Sequence, residues 1–300
     1  MSYWYRQRLM KSQPRDDHGR FMAADGSSFE RAENLSSEDR NIETHLADQV
    51  GHHYDQTVTR YNAIEDAHGG KVLNTDVARE LSPDYLKDRT KSAAVHAPAS
   101  YFIKKLYAQK LQESAKPGEA PLVLFTAGGT GAGKTTAIDT IPSMKALSDK
   151  AQIVYDTNMN TYPSAKQKVE QALTAGKDVH IVAVQRDPVD ALVNGALPRA
   201  MRQEQEFGSG RTVPLGEHLK THVGVTPTLQ RLADDYKDNP HVKIHAIDNS
   251  LGRGKAKEIP LSQLKTYQPG ILKAALDHAL EQAHGAKRIS DKVYTGFKNG

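Results

Sequence analysis

The chain of 300 residues has 38% hydrophobic and 25% charged residues, and its 40 Lys and Arg exceed its 36 Asp and Glu by four. This length fits about two average domains, and the apolar content excludes disorder throughout the chain. The absence of cysteine excludes disulfides, thiolate zinc sites, iron–sulfur clusters and cysteine nucleophiles. The longest apolar runs, 122–125 and 181–184, are too short to cross a bilayer, and no apolar signal-peptide core follows Met1. We therefore expect a cytoplasmic protein without a membrane partner.

The distribution of polar and apolar residues predicts three parts. Residues 1–64 are polar and become weakly helical after Ser37, which is a candidate N-cap, so they predict an N-terminal arm. Residues 65–255 predict the main domain. Residues 256–300 predict a basic C-terminal extension with an amphipathic helix, since nine Lys and Arg accompany four Asp and Glu from Leu251 onward. Such a tail leaves nucleic acid open as a partner, although most basic tails are only solvated.

Apolar runs and helical spacing predict alternating strands and helices in the main domain. The predicted strands lie at 71–76, 122–125, 152–155, 179–184 and 242–247. The predicted helices lie at 98–111, from Lys134 onward, and at 164–175, 188–206, 215–236 and 269–284. This alternation predicts an α/β fold, in which helices cover both faces of a parallel sheet.

The most specific motif is a phosphate loop directly after the apolar strand at 122–125. The residues from Gly128 to Thr135 fit G-x-x-x-x-G-K-[ST] completely, which predicts a sheet of the P-loop NTPase type. The glycines let successive backbone N–H groups point at phosphate oxygens, and a helix N-terminus adds partial positive charge. Lys134 is predicted to reach the β- and γ-phosphates, and the Thr135 hydroxyl to ligate Mg²⁺. The predicted ATP-binding residues are Gly128, Gly129, Thr130, Gly131, Ala132, Gly133, Lys134, Thr135 and Thr136.

Two other nucleotide-dependent classes fit this region poorly. A dinucleotide fingerprint needs a third glycine at the position of Lys134. Motor ATPases usually end the next strand with an acidic pair, whereas Tyr155-Asp156-Thr157 brings no glutamate. The motif therefore favours transfer of phosphate to an acceptor hydroxyl, with Asp156 as a second predicted metal ligand.

A kinase needs a carboxylate near the acceptor hydroxyl and cations around the transferred phosphoryl group. Asp76 and Asp156 each end a predicted strand, and open parallel sheets bind ligands at such ends. Either residue also fits a helix N-cap or a turn. Arg199, Arg202 and Arg211 are the predicted cations, and the first two lie three residues apart on one helix face. The same arginines also fit a solvated basic face.

Several of these segments together resemble the zeta toxin family of P-loop kinases. The likeness lies in the phosphate loop, in Arg199-Ala-Met-Arg202, in Gly210-Arg211-Thr-Val-Pro214 and in Asp248-Asn249-Ser250 after the closing strand. Asn74-Thr75-Asp76 is similar to the family's acidic motif, whose last aspartate is the acceptor base. The resemblance implies ATP and Mg²⁺ as cofactors, UDP-N-acetylglucosamine as the acceptor, a toxin role, and an antitoxin or immunity protein as a partner.

In one respect the chain departs from the family pattern. The acidic motif usually follows the phosphate loop, whereas Asp76 precedes it. A circular permutation accounts for this order, since a crossover from the Asp76 strand restores the same sheet neighbours. The competing alignment makes Asp156-Thr157-Asn158 the acidic motif, but its third position is an asparagine, which is a poor base.

The preferred function is phosphorylation of a sugar hydroxyl on a small, nucleotide-type substrate. Two other functions stay open: a polynucleotide or nucleoside kinase, which the basic tail supports, and a nucleotide-binding switch protein that has no acceptor. The sequence also leaves open delivery into another cell as an effector. His218 and His222 have the spacing of helical metal ligands, but no glutamate lies beside them, so a zinc site is not expected.

Overall fold

A computed structural model describes the chain from Phe21 to Asn299, except for residues 23–27, 30 and 253. The predictions for residues 1–20 therefore lie outside the described residues. Backbone contacts divide the chain into two compact units, Met1–Tyr107 and Ala108–Gly300. The division into parts at 1–64, 65–255 and 256–300 remains a prediction.

The first unit consists mainly of helices. A short antiparallel ribbon of β1 (Phe21–Met22) and β2 (Ser28–Phe29) precedes them. The helices are α1 (Ser37–His52), α2 (Tyr54–Asn62), α3 (Thr75–Ala78), α4 (Pro83–Lys87) and α5 (Ser92–Leu111), with 3₁₀ turns at Glu65–Gly70, Arg79–Leu81 and Arg89–Lys91. The N-cap of α1 is Ser36 rather than Ser37, because the Ser36 side chain accepts a hydrogen bond from the Asp39 N–H.

The strand predicted at 71–76 is shorter in the structure, where β3 spans Val72–Asn74. The buried Tyr61 fixes this strand, since its hydroxyl donates to the Val72 carbonyl at 2.8 Å and accepts from the Asn74 N–H at 3.0 Å. The Asn74 side chain then accepts from the Asp76 N–H at 2.7 Å and caps α3. Asp76 consequently lies in the first turn of a helix, just beyond the strand end.

The second unit is built around a mainly parallel sheet. Its strands are β4 (Ala120–Ala127), β5 (Ala151–Asp156), β6 (Asp178–Gln185), β7 (Val242–Asp248) and β8 (Lys257–Ile259). They lie in the order β5-β4-β6-β7-β8, in which β4 to β7 pair in parallel and β8 pairs antiparallel to β7. The short, lysine-bearing β8 was not predicted, because three residues give too little alternation to identify a strand.

Helices connect the strands of this unit and follow the sheet. They are α6 (Lys134–Thr140), α7 (Pro142–Lys150), α8 (Tyr162–Thr174), α9 (Pro188–Ala191), α10 (Leu197–Phe207), α11 (Leu215–Asp235), α12 (Pro269–Gly285) and α13 (Asp291–Asn299), with a 3₁₀ turn at Leu261–Gln263. The helix predicted at 188–206 is interrupted by a π-turn, Leu192–Ala196, between α9 and α10. Among the described residues, none of the helices is both long and apolar enough to span a membrane.

Burial along the central strands shows that both faces of the sheet are covered. Six consecutive residues of β4, Leu122 to Ala127, are buried, and so are the first five residues of β5. Neighbouring residues of a strand point to opposite faces, so an unbroken buried run needs packing on both sides. The structure thus confirms the predicted α/β fold with helices on both faces.

The C-terminal helices are part of the packed second unit. Leu276 and Leu280 of α12 and Val293 and Phe297 of α13 are buried in one apolar cluster with Leu197 of α10. Spacing alone predicted α12 but not α13, whose nine residues carry only two buried apolar side chains. The predicted basic extension therefore contributes to a core of the second unit.

Candidate nucleotide-binding site

The phosphate loop leaves the carboxyl end of β4 and enters α6. Gly128 has φ of 146°, a conformation that is strained for any residue with a side chain, and its N–H donates to the Asn158 carbonyl at 3.1 Å. At Gly131 the limit is space, because a Cβ there would lie 2.5 Å from the Ala191 carbonyl oxygen. These two glycines let the backbone curl tightly at the strand end, as the motif predicts.

Lys134 lies in a small polar cluster at the mouth of the loop. Its ammonium donates to Asn158 Oδ1 at 3.0 Å and lies 3.6 Å from Asp156 Oδ1. Asp156 in turn accepts from the Thr126 hydroxyl at 2.5 Å, which holds its carboxylate at the end of β5. The Lys134 and Asp156 side chains are only 16% and 22% exposed, so this ion pair is poorly screened by solvent.

Three side chains from outside the motif hold the loop backbone. The Thr221 hydroxyl accepts from the Thr130 N–H at 3.1 Å, and His222 donates through Nε2 to the Thr130 carbonyl at 2.9 Å. The buried Asn249, just after β7, donates to the Ala132 carbonyl at 2.8 Å. Side chains from α11 and from the end of β7 therefore fix the conformation of the loop backbone.

His222 and His218 act here as neutral hydrogen-bond donors. Burial, followed by the neighbouring His218, lowers the pKa of His222 to about 3, and burial also lowers the pKa of His218. Each ring nitrogen Nε2 bonds to a backbone carbonyl, that of Pro188 for His218 at 2.9 Å. Among the described residues no three His, Cys, Asp or Glu side chains lie close enough to hold a metal ion. Of the two histidines, His222 contacts the loop and His218 contacts the start of α9.

The π-turn joins the loop to the helix that carries the predicted cations. A Cβ on Gly195 would lie 3.0 Å from the Gly131 carbonyl oxygen, and Arg186 donates to the same oxygen at 3.3 Å. Arg186 is itself held by Asp190 at 2.5 Å. A π-turn adds one residue to a helix and is frequent at functional sites, and here it places Gly195 against the loop.

The predicted cations lie on one stretch of chain, which we name the arginine segment and define as residues 197–214. Arg202 is exposed and Arg199 is half-buried on α10, while Arg211 is half-buried in the following loop. The Arg211 N–H donates to Gln203 Oε1 at 3.0 Å, which ties that loop to the helix. The structure thus places all three arginines on a segment that continues directly from the π-turn.

Asp76 belongs to the first unit. Its carboxylate is 41% exposed and lies 3.4 Å from Nη1 of the buried Arg79. The Arg79 guanidinium also bonds to the Ser92 hydroxyl at 2.6 Å and to His96 Nδ1 at 2.7 Å. Asp76 therefore has a fixed cationic neighbour, and its role as acceptor base stays a prediction.

The donor set at the loop fits a Mg²⁺-nucleotide. Lysine ammonium groups and the N–H groups of a glycine-rich backbone bind phosphate. A carboxylate such as that of Asp156, 3.6 Å from Lys134, binds a hard cation. Thr135 and Thr136 are exposed in the first turn of α6, where their hydroxyls are accessible.

Sequence reasoning found the loop, Lys134 and Asp156, which the structure brings together. It did not single out Thr126 or Thr221, and it considered Asn158 only as a poor base in the competing acidic motif, not as a partner of Lys134. No local signal marks the two threonines, because each bonds to a group far away in the chain. Asn249 lay in a segment already compared with the zeta toxin family, but its contact with Ala132 depends on the folded sheet.

Comparison with known proteins supports that family. Residues 142–252 match the family model described as zeta toxin, which confirms the resemblance found in the sequence. The match begins after the phosphate loop and includes Asp156, the arginine segment and Asn249. A comparison of the sequence with curated proteins finds no significant match.

Solved structures give looser likenesses. The AvrRxo1-ORF1:ORF2 complex is 12% identical over 83% of this chain and 80% of that chain, with a TM-score of 0.41. The PezAT toxin-antitoxin system of Streptococcus pneumoniae is 10% identical over 86% of this chain and 100% of that chain, with a TM-score of 0.36.

Proposed function

We propose that this chain, whose residues 142–252 match the zeta toxin family, is a kinase that phosphorylates a hydroxyl of a nucleotide sugar. The observation that carries the proposal is the cluster of Lys134, Asp156 and Asn158 at the mouth of a complete phosphate loop. UDP-N-acetylglucosamine is the acceptor that the family resemblance implies. We further propose that the reaction takes place in a cytoplasm, where ATP is available.

Each loop residue has a distinct part in the proposed reaction. Mg²⁺-ATP supplies the phosphoryl group when it is bound. The Lys134 ammonium neutralises charge on the β- and γ-phosphates, while Thr135 and Asp156 offer oxygen ligands to the metal ion. A nucleotide binding here would compete with Asp156 and Asn158 for Lys134, so we expect the lysine to exchange these partners for phosphate oxygens.

The arginines are proposed to act during transfer. Charge spreads over the equatorial oxygens of the phosphoryl group as it moves, and a guanidinium can bind two of them at once. Arg199, Arg202 and Arg211 would therefore stabilise the transition state more than the bound nucleotide.

Asp76 is proposed as the base that accepts the proton of the acceptor hydroxyl. The Arg79 guanidinium lies 3.4 Å from this carboxylate and orients it. His96 and Ser92 hold that arginine in place. The circular permutation that brings Asp76 into the family pattern is part of this proposal.

The family also implies a biological role, which we propose for this chain. Depletion of a nucleotide sugar would arrest growth, and an antitoxin or immunity protein would then be the expected partner. Expression of the wild-type chain and of Lys134→Ala in the same host tests this role. Arrest that depends on Lys134 supports it, and equal growth of the two strains contradicts it.

The activity is tested by incubating the chain with Mg²⁺ and ATP labelled in the γ-phosphate. UDP-N-acetylglucosamine, a nucleoside and an oligonucleotide with a 5′-hydroxyl are offered separately, and Lys134→Ala is the control. Label on the nucleotide sugar supports the proposal. Label on the nucleoside or oligonucleotide identifies the alternative kinase, and free phosphate without a labelled acceptor identifies a nucleotide-dependent switch protein.

A further inference from the structure

Helix α10 of the arginine segment has two distinct faces. An α-helix turns about 100° per residue, so Leu197, Ala200 and Glu204 share one face. Leu197 and Ala200 are buried, whereas Arg202 is exposed on the other side together with the half-buried Arg199. Whatever packs against the buried face therefore sets the direction in which the arginines point.

The C-terminal helices cover that buried face. Helices α10 and α13 are in contact, and α13 also contacts α12. The side chains that form the shared apolar cluster are buried, and they include Leu197, Ala200, Val213, Leu272, Leu276, Leu280, Ile289, Val293 and Phe297. Phe297 is only 1% exposed, so its ring is fully enclosed by this packing.

Hydrogen bonds fix α13 along the same segment. The Ser290 hydroxyl donates to Glu204 Oε1 at 3.0 Å, on the buried side of α10. The Lys292 ammonium donates to the Gly208 carbonyl at 3.3 Å, where α10 ends. The start of α13 is therefore tied to both the middle and the end of the helix that carries two of the arginines.

Gly296 brings α13 into direct contact with the neighbour of Arg211. A Cβ on Gly296 would lie 2.5 Å from Oγ1 and 2.9 Å from Cβ of Thr212. Rotation of the Thr212 side chain cannot relieve the second of these contacts, because Cβ does not move with χ1. Position 296 therefore needs a glycine, because Thr212, the residue after Arg211, packs directly against it.

We propose that α13 is the positioning element of the arginine segment, with Gly296 and Phe297 as its positioning residues. The inference rests on the proposed function, in which the arginines act on the transferred phosphoryl group. The helix lies beyond residue 252, where the match to the zeta toxin family ends. This chain therefore uses a segment outside that match to set the geometry of residues within it.

The test compares Gly296→Ala with Thr295→Ala, which changes an exposed residue of the same helix. Alanine favours a helix more than glycine does, so any loss in Gly296→Ala comes from the contact with Thr212. We expect kcat for phosphoryl transfer to fall at least about tenfold, because small misplacement of a catalytic group is costly. The Kd for ATP should stay within about twofold, since α13 packs against α10, α12 and Thr212. Thr295→Ala should leave both quantities unchanged.

A second variant makes the assignment specific. Replacing Thr212 with glycine removes the atoms that a Cβ on Gly296 would meet, so Gly296→Ala/Thr212→Gly should turn over faster than Gly296→Ala alone. Unchanged kcat in Gly296→Ala overturns the proposal. Parallel losses of ATP binding and thermal stability overturn it as well, because they indicate general unfolding.

Hydrogen exchange separates this inference from the proposed function. Gly296→Ala should speed amide exchange in residues 199–212 relative to Thr295→Ala, whether or not an acceptor has been found. Absence of phosphoryl transfer in the wild type would defeat the proposed function alone. Unchanged exchange in residues 199–212 would defeat the positioning role alone.

Discussion

The phosphate loop and the arginine segment are held by different kinds of interaction. Polar side chains hold the loop: Thr221, His222 and Asn249 each bond to its backbone. Apolar packing is the main support of the arginine segment, whose buried face is covered by α12 and α13, and hydrogen bonds from Ser290 and Lys292 add to it. Hydrogen bonds act through the direction of individual groups, whereas apolar packing acts through shape and volume.

This difference suits the two tasks that we propose. Bound phosphate needs backbone N–H groups in fixed directions, which a network of hydrogen bonds provides. The arginines need a set position relative to the phosphoryl group, which packing against a separate helix provides. Changes at the loop should therefore affect nucleotide binding, while changes at the arginine segment should affect rate.

The largest expected effect tests the loop side of this comparison. Lys134→Ala removes a charge that acts on both bound ATP and the transition state, so kcat/KM should fall about a thousandfold or more. Lys150→Ala changes an exposed residue at the end of α7 and is the matched control. Nucleotide binding by calorimetry and steady-state transfer measure the two effects. Wild-type affinity and turnover in Lys134→Ala would show that the loop does not bind phosphate.

The two strand-end carboxylates should give opposite results. Asp76→Asn keeps the size of the side chain but loses its basicity, so transfer should slow about a hundredfold or more while ATP affinity holds. Asp156→Asn should raise the Mg²⁺ concentration that ATP binding needs, since it replaces a proposed carboxylate ligand with a neutral amide. Titration with Mg²⁺-ATP and single-turnover transfer distinguish these outcomes. Normal transfer by Asp76→Asn together with slow transfer by Asp156→Asn would make Asp156 the base instead.

The arginine side of the comparison predicts a loss of rate without a loss of affinity. Arg202→Ala and Arg211→Ala should each lower kcat about a hundredfold, since a guanidinium binds best when charge has developed. Lys237→Ala, at an exposed residue after α11, controls for loss of surface charge. If both arginine variants turn over normally, the arginines form only a solvated basic face.

Local pattern was enough to predict most of the fold. The central strands and the helices after them carry long apolar runs or clear helical spacing, so they were predicted within a few residues. The sequence did not predict β8 and α13, because both are short. It also did not predict the π-turn at Leu192–Ala196, because its residue pattern differs little from that of a continuous helix. Such elements are fixed by tertiary contacts and leave little local signal.

The residues of the candidate site were predicted from a contiguous motif or from the end of a strand. Lys134 and Thr135 follow from the phosphate-loop pattern, and Asp156 follows from a strand end. His222 was noticed for its spacing with His218, but its role in holding Thr130 depends on how α11 packs against the loop. The sequence alone does not predict a contact between residues 92 positions apart.

A smaller effect is expected where one hydrogen bond to the loop is lost. Asn249→Ala removes the bond to the Ala132 carbonyl, worth about 1 kcal/mol, so the Kd for ATP should rise about fivefold. Asn249→Asp should cost more than this, because a carboxylate cannot donate to that carbonyl and repels phosphate. Calorimetric titration with ATP measures the Kd of the wild type and of both variants. Tighter binding in the aspartate variant than in the alanine variant would contradict the proposed role of Asn249.

The smallest effect concerns the sheet that supports both regions. His180 on β6 and His245 on β7 are half-buried, and Nδ1 of His180 lies 2.9 Å from Nε2 of His245. Burial, followed by the charges of His245 and Lys243, lowers the pKa of His180 to about 4, and burial lowers the pKa of His245. One neutral ring must donate to the other, so protonation of both rings breaks this contact.

The sign of the pH dependence follows from that lowered pKa. An unfolded histidine titrates near pH 6.5, so below that pH the unfolded chain binds more protons at His180 than the folded chain does. The contribution to stability is full above pH 6.5 and is lost as the pH falls through about 4. Because His180 is only half-buried, the slope should stay below the roughly 1.4 kcal/mol per pH unit of one full proton. Urea unfolding between pH 7.5 and 4.5 should show a shallower decline for His180→Gln than for the wild type, while His278→Gln, at an exposed residue of α12, should match the wild type. An unchanged slope in His180→Gln would mean that the histidine pair does not contribute to the acid sensitivity of the sheet.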